Sequence, residues 1–226
     1  MTSYTHTQLQ AVLRQDLTAF TEKSFKAVNP GATYLRNWHI EAIAHALEQC
    51  HRREIRRLAI AVSPRSMKSI CASVAFPAWL LGQDPALEIT CISYNRDLAQ
   101  ELALQTRTVM ESDWYRPLFP QTRFHRRRNT DTEMKTSRMG CRYATSVGGT
   151  LTGRGGNFII IDDPIKPGAV MSAAERTSVN QWYENTVYSR LNVPNDDVII
   201  LVMQRVHVDD LIGHVPTPSS LYFGVF

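Results

Sequence analysis

Paired metal-binding or redox cysteines are missing from this chain. Its four cysteines, Cys50, Cys71, Cys91 and Cys141, show no C-x-x-C spacing, and Cys71 and Cys91 fall inside apolar segments. All four are expected to be reduced thiols in a cytosolic compartment. The seven histidines form neither H-E-x-x-H nor a finger pattern, so no structural zinc is expected. The opening MTSYTHTQLQ lacks the basic n-region and apolar core of a signal peptide. No apolar run is long enough to span a bilayer, and no membrane association is expected. Repeats and low-complexity tracts are lacking too. Glycine is scarce, 11 in 226 residues, which matters below because one loop lacks glycines where its pattern calls for them.

What is present is enough chain for a real core and a mild basic excess, +4, that suits a polyanionic partner without proving one. Residues 8–28 carry Leu9, Val12, Leu13, Leu17, Phe20 and Phe25 at helical spacing, and Asn29-Pro30-Gly31 stops that helix. A second helix is expected from Trp38 to Cys50. Leu58–Val62, Glu88–Tyr94, Phe158–Ile161 and Asp197–Met203 read as buried strands. Residues 96–111 and 173–191 read as helices, and 113–142 stays undecided between strand and loop. Continuous apolar strands separated by helices predict an α/β fold, with a mostly parallel sheet covered on both faces. Two basic runs, Arg52–Arg57 and Arg123–Arg128, read either as solvated turns or as phosphate-backbone contacts.

The chain is organised around LAIAVSPRSMKS, residues 58–69. A buried strand ends in Ser63, Pro64, Arg65, Ser66, Met67, Lys68 and Ser69, and apolar positions at wider spacing follow. Strand, tight loop and helix in that order, with Lys-Ser at the helix start, is how a phosphate-binding loop is built: backbone N–H groups and the helix N-terminus face the phosphates. Lys68 would reach the β/γ-phosphates of ATP, and the Ser69 hydroxyl would hold Mg2+. Against the pattern G-x-x-x-x-G-K-[ST], Val62 and Met67 stand where glycine's backbone freedom is ordinarily used. The competing reading is a lysine at an ordinary helix start.

Phe158–Asp163 supplies a second motif, a β-branched strand delivering two carboxylates at its C-terminal end, where open α/β sheets bind ligands. Asp162 would hold Mg2+ beside Ser69, and Asp163 would stand at the general base for an attacking water. An Asp-Asp-Pro turn capping the next helix is the plainer alternative. Gln204 and Arg205 end the last strand on the same edge. They would sense the γ-phosphate, or simply begin a loop.

SPRSMKS, FPAWLLG, GGTLTGRGGNFIIIDDP and VIILVMQRVHVDDLIG, in that order, resemble the ATPase half of the large terminase subunit of tailed bacteriophages, from about Tyr34 to Val215. The resemblance implies a three-layer P-loop fold of the additional-strand type and a Mg2+-dependent ATPase motor that threads double-stranded DNA into a procapsid. It implies a homo-oligomeric ring on the portal protein, a small terminase subunit as partner, and the cytoplasm of the bacterial host as location. By likeness, Lys68 and Ser69 match the phosphate and Mg2+ ligands, with Arg65 inside the loop. Asp162 matches the metal aspartate, Asp163 the catalytic acid that is usually Glu, and Gln204 the coupling position. Tyr34, Trp38 and His39 resemble the segment near the adenine, although Trp38 also fits as plain core. Arg154 is the candidate arginine finger; relatives place that arginine about two residues earlier, at Thr152 here. The expected organisation is a helical extension over 1–52, the ATPase domain over 53–215 and a tail over 216–226. No nuclease carboxylate cluster is expected, so no DNA cleavage by this chain. Two other readings compete: a prophage remnant that binds nucleotide or partners without turnover, and a helicase-like P-loop ATPase.

Overall fold

The computed structural model describes residues 6–151 and 153–215. Residues 1–5, the finger slot at Thr152 and the expected tail over 216–226 lie outside the described residues. Asp16 divides the stretch expected as one helix over 8–28 into α1 (His6–Gln15) and α2 (Leu17–Val28). Its backbone is extended, at φ −119°, and its carboxylate accepts from Ala19 N at 3.0 Å, so it caps α2 instead of continuing α1. α3 (Trp38–His51) follows as expected.

The sheet has seven strands: β1 (Arg57–Ala61), β2 (Glu88–Ser93), β3 (Phe124–Asn129), β4 (Glu133–Thr136), β5 (Cys141–Ser146), β6 (Phe158–Asp162) and β7 (Val198–Met203). They lie in the order β1-β7-β6-β2-β5-β4-β3. Pairing is parallel from β1 to β5 and antiparallel from β5 through β4 to β3. β7 therefore lies between the strand that feeds the lysine loop and the strand that carries the paired aspartates. This is the additional strand that the terminase resemblance implies.

Alternation along the strands sorts their side chains into two cores. Leu58, Ile60, Phe158, Ile160, Val198, Ile200 and Val202 face one side with the N-terminal helices. Ala59, Ala61, Ile159, Ile161, Ile199, Leu201 and Met203 face the other. The first layer also holds a π-helical turn (Ile70–Ala75), α4 (Phe76–Gln83), α5 (Arg96–Glu111) and α6 (Tyr115–Leu118). The second is built on α7 (Ala173–Trp182) and α8 (Leu211–His214). Leu13, Leu17 and Phe20 belong to the same core as Ile60 and Phe158, with α2 packed on the π-helical turn, α3 and α5. The helix expected over 173–191 changes pitch after Trp182, through a π-helical and then a 3-10 turn. The Arg190 carbonyl there accepts from Gly156 N at 3.0 Å, which draws the chain out of the helix. A Cβ on Gly155 would stand 2.8 Å from the Arg190 carbonyl oxygen, a backbone atom, so this close approach requires glycine.

Pro77 explains the π-helical turn at the start of the helix after the loop. It has no N–H to give the carbonyl four residues back, that of Ser73, and its ring crowds that carbonyl. The turn widens instead, with Phe76 N reaching Cys71 O.

Candidate functional site

β1 ends at Ala61, and buried Val62 continues its line, with its N–H on Met203 O at 3.2 Å. The loop then turns on Ser66, whose hydroxyl donates to Ser63 O at 2.7 Å. Arg65 and Met67 adopt left-handed backbone, at φ 59° and 63°. Met67 thus takes the conformation for which the loop pattern reserves its second glycine, at a steric cost of about 1 kcal/mol. Val62 is not among the positive-φ residues, so the first glycine position makes no such demand here. Cys71 N donates to Met67 O at 2.9 Å and starts the helical segment at Lys68-Ser69.

Strand alternation dictates which aspartate does what. Asp162 continues the series Phe158, Ile160 and so points into the layer that holds the π-helical turn. It is 1 % exposed, and its oxygens accept from Ser69 Oγ at 3.1 Å and Ser73 Oγ at 2.7 Å. Burial, and next the neighbouring Asp163 charge, push its carboxyl up to about 6, against the hydroxyl hydrogen bonds and the Lys68 charge. Asp163 lies past the strand end at φ 47°. Its Oδ2 takes Lys68 Nζ at 2.8 Å and its Oδ1 accepts from Gln204 N at 3.1 Å. Its own N–H reaches Val202 O at 2.8 Å. The ends of β1, β6 and β7 are therefore joined through one carboxylate, beside a lysine that is 8 % exposed.

His39 Nε2 lies 3.1 Å from Ser66 O, which ties the start of α3 to the loop. Trp38, beside it, is 60 % exposed, so it is not core. Tyr34 turns inward against Phe25 instead, and its buried hydroxyl has no partner. Gln204 contributes its backbone to the site. Arg205 folds onto its own loop, reaching Val208 O at 3.2 Å and Asp210 Oδ1 at 3.8 Å.

Arg154 stands apart from this group. It binds both oxygens of Glu133, at 3.0 and 3.2 Å, and lies over the Tyr143 ring at 4.0 Å. Glu133 starts β4, five strands from β1, or roughly 24 Å across the sheet. Of the two basic runs, the first is largely occupied. Arg52 pairs with Glu54, and Arg57 donates to Asp197 O. Arg53 donates to Asn157 O and stacks on Phe158 at 4.3 Å. Arg126, Arg127 and Arg128 instead project from edge strand β3 and are exposed.

Sequence reasoning missed Ser73 and Arg142. Ser73 follows Ser69 by four residues, one helical turn, which puts both hydroxyls on one face. Arg142 gives no such signal: a lone arginine in CRYATS, it is fully buried beneath α5. Among the described residues no group of three or more His, Cys, Asp or Glu is arranged to hold a metal ion. Ser69 and Asp162 offer two adjacent hard oxygens, a donor set that fits Mg2+ completed by water and phosphate.

No known family profile and no curated protein matches the sequence. Solved structures do. The Thermus phage P74-26 large terminase ATPase domain aligns with a TM-score of 0.50 and 18 % identity, over 81 % of this chain and 69 % of that one. The HK97 bacteriophage large terminase aligns with a TM-score of 0.53 and 12 % identity. That alignment covers 88 % of this chain, which spans 39 % of the HK97 protein's length. At these identities the likeness is one of fold, and the chain has the fold of a phage large terminase ATPase domain.

Proposed function

We propose that this chain is the Mg2+-dependent ATPase motor domain of a phage terminase large subunit, driving double-stranded DNA into a procapsid. The observation that carries the reading is the junction of Lys68, Asp163 and Gln204 N beside the Ser69–Asp162 pair. Two separate motifs, 93 residues apart, meet with the polarity that nucleotide hydrolysis needs.

In this reading the loop amides and Lys68 bind the ATP phosphates, and Lys68 leaves Asp163 to do so. Asp163, freed of its cation, orients the attacking water and accepts its proton. Ser69 and Asp162 would hold Mg2+, whose charge would offset that of the phosphates. The Gln204 amide on Asp163 Oδ1 links that exchange to the end of β7, a route by which phosphate release reaches Arg205 and the following loop. Trp38 and His39 border the base. Arg154 serves a neighbour's nucleotide in a ring, after giving up Glu133. The exposed arginines of β3 supply sequence-independent contacts to duplex phosphates, with the small terminase subunit, the portal protein and the bacterial cytoplasm as the setting.

Steady-state ATP hydrolysis with Mg2+, with and without linear duplex DNA, tests this beside Lys68→Ala and Asp163→Asn. Turnover stimulated by DNA and lost in both variants is the expected result. A folded chain that neither binds nor hydrolyses ATP refutes it. Binding without turnover, even at concentrations that assemble a ring, favours the inactive remnant.

A further inference from the structure

Among the described residues, Arg142 is the largest fully buried side chain. A guanidinium carries five N–H donors, and burying it is strongly unfavourable unless they are used. Only Nη2 has a partner: it donates to Ser73 O at 3.2 Å, while Nε and Nη1 are buried without one. The acceptor is the carbonyl that Pro77 leaves without its helical donor. Thr106 Oγ1 also lies 3.3 Å from it, but that hydroxyl has a single proton and a shorter bond, 2.8 Å, to Leu102 O. The donor that takes the place of the missing Pro77 N–H on Ser73 O is therefore Arg142.

The same residue carries the hydroxyl that meets Asp162. Ser73 Oγ lies 2.7 Å from Asp162 Oδ2, and Ser69 Oγ, at the start of the same turn, lies 3.1 Å from Oδ1. Register places the arginine on the right face: Arg142 pairs with Ile89 and Asp162 with Ser93, positions of equal parity along β2. Arg142 and Asp162 thus both point into the layer that holds the π-helical turn. We infer that Arg142 is a positioning residue for the metal-binding pair: by clamping the Ser73 carbonyl it fixes the π-helical turn in the register that aims Ser69 and Ser73 at Asp162.

The inference rests on the nucleotide reading, and its test separates the two. Affinity for a fluorescent ATP analogue is measured in EDTA and across a Mg2+ titration, for the parent chain, Arg142→Met, Arg142→Lys and Ser73→Ala, with a thermal melt of each without nucleotide. Arg142→Met is expected to melt no lower than the parent, since it replaces an under-bonded buried cation with an apolar chain. Its affinity in EDTA should stay within about twofold, because the loop and Lys68 are untouched, while the Mg2+ needed for half-maximal effect rises about tenfold. Arg142→Lys, which keeps a cationic donor, recovers part of that loss. Ser73→Ala reproduces the Mg2+ shift, and adding Arg142→Met to it gives little more. Unchanged Mg2+ dependence in Arg142→Met, or equal losses with and without Mg2+, overturns the inference. Should Arg142→Met not fold, Ser73→Ala decides alone: an unchanged Mg2+ requirement there overturns it too. A parent chain that binds no nucleotide refutes the function itself.

Discussion

Replacing Asp162 with asparagine should make the nucleotide-free protein more stable while removing its Mg2+ response. The carboxyl is buried, and burial together with Asp163 lifts it from 3.8 to about 6. A carboxyl whose folded value lies above its unfolded value favours the protonated form on folding. Its unfavourable contribution is therefore absent below about pH 4, grows as pH rises through the window between 3.8 and about 6, and is complete above it. Converted at about 1.4 kcal/mol per pH unit, the difference is about 3 kcal/mol at pH 8. Asparagine keeps the shape and offers one oxygen to the serine hydroxyls, which also rotate to accept from its amide, so the two hydrogen bonds survive. Urea unfolding from pH 4 to 8, parent beside Asp162→Asn, reads the effect directly. The stabilities should nearly coincide at pH 4 and diverge to about 1–3 kcal/mol in favour of the variant at pH 8. A variant less stable than the parent at pH 8, or a difference that ignores pH, would show that the carboxylate is compensated in the fold and that the reasoning fails.

Met67→Gly relieves the left-handed φ but restores chain entropy to the unfolded state, so stability should change by less than about 1 kcal/mol with nucleotide affinity kept. Met67→Val, β-branched at the same φ, should lose about 2 kcal/mol or more in the same melts. Tyr34→Phe removes a buried hydroxyl without a partner, raised to about 12 by its burial, and should be neutral or stabilising by up to about 1 kcal/mol in urea. Trp38→Ala at its exposed site should leave the melt unchanged and weaken ATP-analogue binding about tenfold through lost stacking. Alanine at Arg126, Arg127 and Arg128 together should lower the salt slope of duplex DNA binding by up to about 3 without altering stability, because these side chains are exposed on edge strand β3.

The site was legible where local chemistry and strand period speak for themselves, and illegible where a partner comes from far along the chain. The helix over 96–111 and the strands at 88 and 158 follow from spacing alone, and the observed bounds agree to within a residue or two. The paired aspartates are legible as residues at the carboxyl end of a fully buried parallel strand, the edge where open α/β sheets bind ligands. Met67 looked like a defect in the loop until its φ showed that the chain makes the glycine turn without glycine. Edge strand β3 could not be read because FHRRRN has no apolar alternation: its last four residues face solvent, and arginines there keep the edge from pairing with another chain. Arg53 and Arg57 read from sequence either as a solvated turn or as a phosphate footprint, whereas their acceptors, Asn157 O and Asp197 O, lie 104 and 140 residues away. The Ser73–Arg142 contact is the sharpest case. Pro77 announces in sequence that some carbonyl one turn earlier will lack its donor, yet nothing local names the donor, which comes 69 residues later from the middle of a strand. A helix-breaking proline next to a functional loop therefore poses a question that only the sheet order answers. Here the answer leads to the residues around the Ser69–Asp162 pair.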